Sequence, residues 1–467
     1  MHHAQPKLKF IPQVFNPLVL KIAQRSLPIL LRFRTRPWLT AGITGIEITN
    51  LETLVELYSK FQAGKIRFFI AFRHCEVDDP LPLFYLFSRA VPRFARQKGI
   101  PLKYPIHSHF LYDRGMTIWG GKWLGWLLSR VGGVPVRRGR ALDLNAMRTI
   151  RDLSVNGKFP VTVAPEGATN GHSEIVSPLQ PGMARLGFWC VEDLLKADRS
   201  EEVYIVPIGI KYRYIKPSWK SLDKLLSRLE ANIGLRVPPT NNSTIEEPEK
   251  VYYQRLFSLG EHLLSQMEEF YTRFYHRQLP QPHLSSSSDR SKNELLAARL
   301  QILLDTALQV AEEYFGIQAK GNLVERCRKL EEASWNYIYR EDISDLNSLS
   351  PFERGLADWV AIEAQLRVQH MRLVETFVAV TGTYVLEKPT IERFAETALL
   401  MFDLIARIEG KKYPPRPRIG KRWVEMKVGE PISVTKRWQN HPPNRKGRSQ
   451  AIKSLTEDLK IALENLI

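Results

Sequence analysis

Residues 66–80 read IRFFIAFRHCEVDDP. The first seven, Ile66 to Phe72, form a short and mainly apolar run of β-branched and aromatic side chains, the pattern of a strand buried on both faces. At the other end, Asp79-Pro80 has the form of a helix start. Aspartate caps a helix well, and proline suits the first helical position because its missing N–H has no intrahelical partner there. A strand that passes through a short loop into a helix is the repeating unit of an α/β layer. The loop carries His74, with a carboxylate, Asp79, five positions on.

The alternation continues outward. Trp119 to Ser129 reads as a helix, Val134 to Arg137 as a strand and Leu142 to Leu153 as a helix. Gly157 turns the chain into a strand from Phe159 to Ala164. Pro181 to Leu195 reads as a helix, and Val203 to Lys211 as a strand with Pro207 inside it. Such alternation predicts an α/β fold with a central, mainly mixed sheet flanked by helices. Past Lys216 long helical patterns take over, with Leu256, Leu259, Leu263, Met267 and Phe270 on one face. Ser350-Pro351-Phe352-Glu353 opens another helix with a cap, a first-turn proline and an acid at the third position. The Pro- and Ser-rich stretch Leu279 to Asn293 reads as a flexible linker. Strand alternation returns from Trp423 to Val434, where Val424, Met426 and Val428 share one side and Glu425 and Lys427 the other. A last amphipathic helix runs through Ile452, Leu455, Leu459 and Leu466. At the opposite terminus, Pro17 to Arg32 is an amphipathic helix with Val19, Ile22, Ala23, Leu27 and Leu30 recurring at helical spacing. It can lie in a lipid interface or pack on the domain behind it. The expected division is an N-terminal helix in 1–35, an α/β core in 36–216, an all-helical insertion domain in 217–416 with its linker near 279–293, and the last core strand and helix in 417–467.

A chain of 467 residues has room for two or three domain-sized units. Its 67 Lys and Arg against 49 Asp and Glu give a formal charge of +18, which favours an anionic partner: nucleic acid, anionic lipid or anionic substrate. The basic residues are scattered and no nucleic-acid signature accompanies them, so no nucleic acid is expected. Cys75, Cys190 and Cys327 form neither a disulfide framework nor a C-x-x-C site, as in a reducing compartment. No window reaches the roughly 18 to 20 uninterrupted apolar residues of a spanning helix, so a membrane would be met at its surface.

The chemistry concentrates at His74 and Asp79. A carboxylate bonded to one ring nitrogen fixes the imidazole tautomer and frees the other nitrogen to take a proton. Of the eleven histidines, only His74 has an aspartate at that offset. The plainer reading makes His74 a core residue and Asp79 an N-cap. Three further segments sit at strand ends: Gly133 to Arg138 with two arginines, Val163-Ala164-Pro165-Glu166-Gly167, and the run around Pro207. Rival constellations are thinner. Cys75 beside His74 suggests a thiol nucleophile, but neighbours on an extended segment point to opposite sides. His107-x-His109 could offer two metal ligands, yet no third stands out, so neither metal nor cofactor is expected. Gly171-His172-Ser173 lacks the closing glycine of a nucleophile elbow, having Ile175 there. Gly115 to Lys122 has Gly121 where a phosphate loop needs lysine.

Four of these blocks, in this order, resemble the glycerolipid acyltransferase family, which includes lysophosphatidic acid acyltransferases. They are the H-x4-D block at His74 and Asp79, the glycine-led strand Gly133 to Arg138, the P-E-G turn Pro165 to Gly167, and the proline-containing strand Ile205 to Ile208. Leu179 to Leu186 and Val428 to Ile432 are similar to two further family segments. The likeness covers roughly 36–216 and 417–467, which leaves about 200 residues as an insertion. It implies transfer of a fatty acyl group from an acyl thioester, acyl-CoA or acyl carrier protein, to a hydroxyl of a glycerolipid or lysophospholipid. His74 would be the general base and Asp79 its orienting carboxylate, while Arg137, Arg138, Glu166 and Gly167 would meet substrate. The implied setting is the cytoplasmic face of a membrane, held by anionic lipids. A non-catalytic membrane-surface lipid-binding protein on the same fold is the alternative, using the basic surface and Trp119, Trp123 and Trp126. Two departures stand out. The family's E-G-T-R-S is here Glu166-Gly167-Ala168-Thr169-Asn170, and Arg73 replaces the common asparagine before the histidine. Arg137 or Arg140 could compensate for the missing arginine.

Overall fold

The computed structural model describes residues 3–467 except 37–38, 138–142, 217, 236–246, 281, 283–288, 412–413 and 441–443. Ile66–Phe72 is a strand with every residue buried, and it lies near the middle of the main sheet. Across that sheet the strands run in the order Ile43–Thr49, Arg422–Val428, Glu202–Tyr214, Ile66–Phe72, Val161–Val163, His109–Asp113 and Gly133–Val136. The last five of these are mutually parallel. Arg422–Val428 runs antiparallel to Glu202–Tyr214, and Ile43–Thr49 runs parallel to Arg422–Val428, so the sheet is mixed. The short strand Ile432–Ser433 adds to the start of Glu202–Tyr214.

The pleat sorts the central strand into two cores. Phe68, Ile70 and Phe72 face the layer holding helix Leu51–Gln62 and the helical run Pro80–Gln97. Phe69 and Ala71 face helices Leu144–Asn156, Gly182–Lys196 and Arg445–Glu464. Because successive side chains alternate, both faces of this strand must be apolar, which is why its sequence shows no period of two.

Some boundaries shift for local reasons. The single helix expected over Trp119 to Ser129 is two, Met116–Gly120 and Lys122–Arg130, broken at Gly121 with φ +88°. The expected strand Trp423 to Val434 stops at Val428, and Ile432–Ser433 pairs elsewhere. Two strands of the main sheet escaped the pattern. In Ile43–Thr49, Gly45 breaks the hydrophobic rhythm because the Trp423 ring occupies its side-chain position, 2.1 Å from where a Cβ would sit. His109–Asp113 is short and opens on a polar residue.

Between Tyr214 and Arg422, the longer elements are the helices Trp219–Asn232, Pro248–Tyr275, Asp289–Phe315, Leu323–Ile338, Pro351–Phe377 and Ile391–Ile408. Ser350 and Glu353 form the capping box that opens Pro351–Phe377. Most of the Ser-rich stretch before Asp289 lies outside the described residues, while Asp289 to Asn293 already belong to a helix. These helices build two apolar cores of their own, one around Leu226, Leu259 and Phe394 and one around Leu308, Leu330 and Met371. They are also tied to the sheet's carboxyl edge. Arg137 pairs with Glu341 at 2.9 Å, Arg393 Nε donates to Glu174 at 2.8 Å, and Arg328 donates to the Gly167 carbonyl at 3.3 Å.

At the N-terminus, Asn16 caps helix Pro17–Arg32, accepting from Leu18 and Val19 N–H. The helix buries Leu20, Leu27 and Leu31 against the core, while Leu18, Ile22 and Ile29 stay exposed. No helix among the described residues is long and apolar enough to cross a membrane.

Candidate active site

Strand Ile66–Phe72 delivers its next residues to the carboxyl edge of the sheet, where loops of neighbouring parallel strands converge. His74 Nδ1 lies 2.9 Å from Asp79 Oδ2, with the ring about one-fifth exposed and the carboxylate fully buried. Asp79 does not cap the helix it precedes. Its backbone is already helical and its side chain turns back instead, accepting from Glu76 N–H at 2.9 Å and from the Tyr212 hydroxyl at 2.7 Å. With those donors fixed, the carboxylate can hold His74 Nδ1–H and leave Nε2 as the basic nitrogen. Its neighbour Asp78 anchors the same loop, accepting from Thr40 and Ala41 N–H at 3.2 and 2.8 Å and pairing with Arg422 of the distant strand.

Beneath the imidazole lies a buried ionic cluster. The Arg73 side chain is fully buried, and its Nη1 donates to both Glu166 oxygens at 2.8 and 3.0 Å. Nη2 reaches Asn170 Oδ1 at 3.2 Å and the carbonyls of His172 and Ile175. Glu166 also accepts from His74 N–H and Ser177 N–H, each at 2.8 Å. Arg73 and Asn170, the last residue of the altered turn, thus belong to one network. An arginine before the histidine needs a carboxylate and further acceptors; the P-E-G turn supplies the first and the loop after it, 170–175, the others. Gly167 has φ +75°, a backbone conformation that strains any side chain, and a Cβ there would also have to displace the Gln180 amide, 2.4 Å away.

A cavity of about 1970 Å³ opens at His74. One side is apolar, with Phe84, Phe87, Leu111, Leu127, Leu128 and Met147. The helical segment adds Arg372, Leu400, Asp403, Arg407 and Arg416. Among the residues expected to meet substrate, Gly167 lines this cavity. Glu166 does not: its oxygens are taken by Arg73 and two backbone N–H groups, so it positions His74 rather than touching a ligand. Arg137 is also diverted, to Glu341 at 2.9 Å and Asn336 at 2.7 Å, with its guanidinium over the Trp335 ring. Arg138 and Arg140 lie outside the described residues.

Of the rival constellations, Cys75 is fully buried, and burial followed by the Asp79 charge pushes its thiol well above the usual range, so it is held as a neutral S–H. His107 Nε2 lies 2.7 Å from the Val131 carbonyl and His109 Nδ1 3.3 Å from that of Gly132. Burial pushes both pKa values down to about 4. Tyr212, Arg407 and Arg416 carried no signal in the sequence. Tyr212 lies one residue past the expected strand, and the arginines become part of the site only through folding.

Glu396 ties the helical segment to the loop after Gly167. It accepts from Ser173 N–H at 3.1 Å and from the Tyr384 hydroxyl at 2.6 Å. Burial raises its pKa to about 7, the two hydrogen bonds oppose the shift, and Glu76 adds to it. Between its ordinary value of 4.5 and about 7 the native state binds more protons than the unfolded one, so stability falls as pH rises through that window. Relative to wild type, E396Q should therefore gain stability from about pH 5 to about pH 8, by roughly 3 kcal/mol at most. Thermal unfolding of both proteins across that range checks this, and the buried neutral histidines, common to both, cancel. Parallel profiles would show that Glu396 titrates at its ordinary value.

A family model described as Acyltransferase matches residues 104–211. No curated protein matches the chain. The family match, on a mixed α/β sheet flanked by helices, defines an acyl-transfer enzyme. Residues 104–211 thus carry an acyltransferase domain, and the protein is an acyltransferase. The matched segment contains Glu166 and Gly167 but not His74 and Asp79, whose case rests on geometry.

Proposed function

We propose that the protein moves a fatty acyl group from an acyl thioester, acyl-CoA or acyl carrier protein, to the hydroxyl of a glycerolipid or lysophospholipid at a membrane surface. The contact that carries this reading is the 2.9 Å bond from His74 Nδ1 to Asp79, with the ring open to the cavity. His74 Nε2 takes the acceptor hydroxyl proton as that oxygen attacks the thioester carbonyl. The tetrahedral adduct then expels the thiolate, which takes up the proton, and Asp79 supports the imidazolium in between. A thioester is already activated, so the step calls for no metal, organic cofactor or covalent enzyme intermediate. The apolar side of the cavity suits an acyl chain.

In this reading residues 217–416 are an insertion roofing the cavity between the core parts 36–216 and 417–467. Residues 1–35 supply the interface helix. Exposed Leu18, Ile22, Ile29 and Phe33 with Lys21 and Arg25, together with half-exposed Trp123 and Trp126, favour seating on an anionic leaflet at the cytoplasmic face. The test is acyl transfer by purified protein with both donors across phosphorylated and neutral acceptors, with and without anionic vesicles. Turnover with a lipid hydroxyl is expected. Failure with every combination, alongside intact vesicle binding, would favour a lipid-binding protein without catalysis.

A further inference from the structure

Three arginines of the helical segment and its exit line the cavity: Arg372, Arg407 and Arg416. Two are neutralised in place. Arg372 pairs with Glu331 at 2.9 Å and with Glu375 at 2.5 Å, and Arg416 with Glu76 at 2.9 Å and Asp403 at 3.2 Å. Arg407 differs. Its Nη1 is buried without a hydrogen-bond partner, and among the described residues it belongs to no ion pair. The nearby carboxylates Glu375 and Asp403 are already held by Arg328, Arg372 and Arg416. Burial, and then the Arg372 charge, push its pKa below the ordinary arginine value. A withdrawn cation beside another cation costs free energy unless an anion joins it. Arg185 also lines the cavity and has no ion pair among the described residues, but it stands in solvent, where that costs little.

The position suits a ligand. Leu400, Asp403 and Arg407 follow one face of helix Ile391–Ile408. Leu400 Cδ2 comes 2.8 Å from where a Cβ on Gly171 would sit, so this face looks onto the loop that follows Glu166 and Gly167. That turn, Glu166 to Asn170, offers no cation of its own, and Arg137 is committed to Glu341 and Asn336.

We infer that Arg407, flanked by Arg372 and Arg416, is the binding cation for a phosphate group entering the cavity, carried by either the lipid acceptor or the acyl donor. The planar guanidinium presents the fork that phosphate oxygens accept, which a lone carboxylate-bound arginine cannot offer twice. The inference deepens the acyl-transfer reading and names the polar group its substrate brings.

Binding measured without turnover separates the two. Calorimetry on the wild-type chain uses sn-glycerol 3-phosphate against glycerol for the acceptor arm, and coenzyme A against pantetheine for the donor arm. In the arm that supplies the phosphate, R407Q should weaken the phosphorylated probe roughly 10- to 100-fold and leave the phosphate-free one unchanged, with R407K recovering part of the loss. The unliganded R407Q protein should melt at or above the wild-type temperature, because a buried unpaired charge is removed. Three results would overturn the proposal: no phosphorylated probe binds the wild type, both members of a pair weaken equally, or R407Q melts well below wild type. Phosphate binding that depends on Arg407 in a protein with no acyl transfer would sink the enzymatic reading and leave this site standing.

Discussion

H74A lowers kcat for acyl transfer by roughly 10²- to 10⁴-fold while the protein keeps its fold. The size follows from what a positioned base contributes when a hydroxyl must lose its proton during attack. The survival of the fold follows from the ring's surroundings. Its hydrogen bond is to Asp79, it is partly exposed, and it belongs to neither sheet core. D79N should cost activity on a similar scale by a different route. An asparagine keeps one acceptor oxygen for the four donors that converge there, His74 Nδ1, Glu76 N–H, the Tyr212 hydroxyl and the Cys75 thiol, so the ring loses its orienting partner. Single-turnover rates beside melting curves and vesicle sedimentation distinguish the outcomes. A purely lipid-binding role would leave H74A indistinguishable from wild type in every assay, and a residual rate within twofold would remove His74 from the chemistry.

E166A is expected to destabilise the protein by about 3–5 kcal/mol, a large share of a typical domain's stability. Removing the carboxylate strands the fully buried Arg73 guanidinium. It also orphans two backbone donors, His74 N–H and Ser177 N–H, that share the same two oxygens. Because one of those donors is the backbone of His74, the proposed base, activity should fall as well. Pairing the change with R73M provides the decisive comparison. The double variant has no stranded charge, so it should be more stable than E166A alone, with strongly non-additive losses in a double-mutant cycle. Urea unfolding measures all four proteins. A loss below about 1 kcal/mol for E166A would show that water or a rearranged acceptor satisfies Arg73.

The two predictions draw on parts of the molecule that were unequally visible in the sequence. The offset from His74 to Asp79 was legible because a loop between a strand and a helix is short, and only nearby residues can meet across it. Asp79 was nonetheless read as a helix cap as well. Its carboxylate turns inward because Tyr212, delivered by a neighbouring strand, and Glu76 N–H draw it there. In the sequence, Arg73 and the altered turn Ala168-Thr169-Asn170 are two separate departures from the family pattern, and nothing there links Arg73 to Asn170. Folded, they are donor and acceptor of one cluster 97 residues apart in the chain. Arg137 followed a strand end as expected, yet Glu341 and Asn336 from the helical segment turn it from the cavity.

What the sequence determined by itself is what acts over a few residues. Apolar runs, caps and turns set the strand Ile66–Phe72, the capping box at Ser350, the long helices past Lys216 and the histidine loop, because hydrogen bonding and side-chain period repeat at fixed short offsets. The tertiary structure alone decided which charges meet: Arg73 with Glu166, Arg422 with Asp78, Arg416 with Glu76, and Arg407 with no carboxylate of its own among the described residues. An ion pair has no characteristic separation along a chain. It is settled where burial withdraws water and the nearest opposite charge becomes the only compensation.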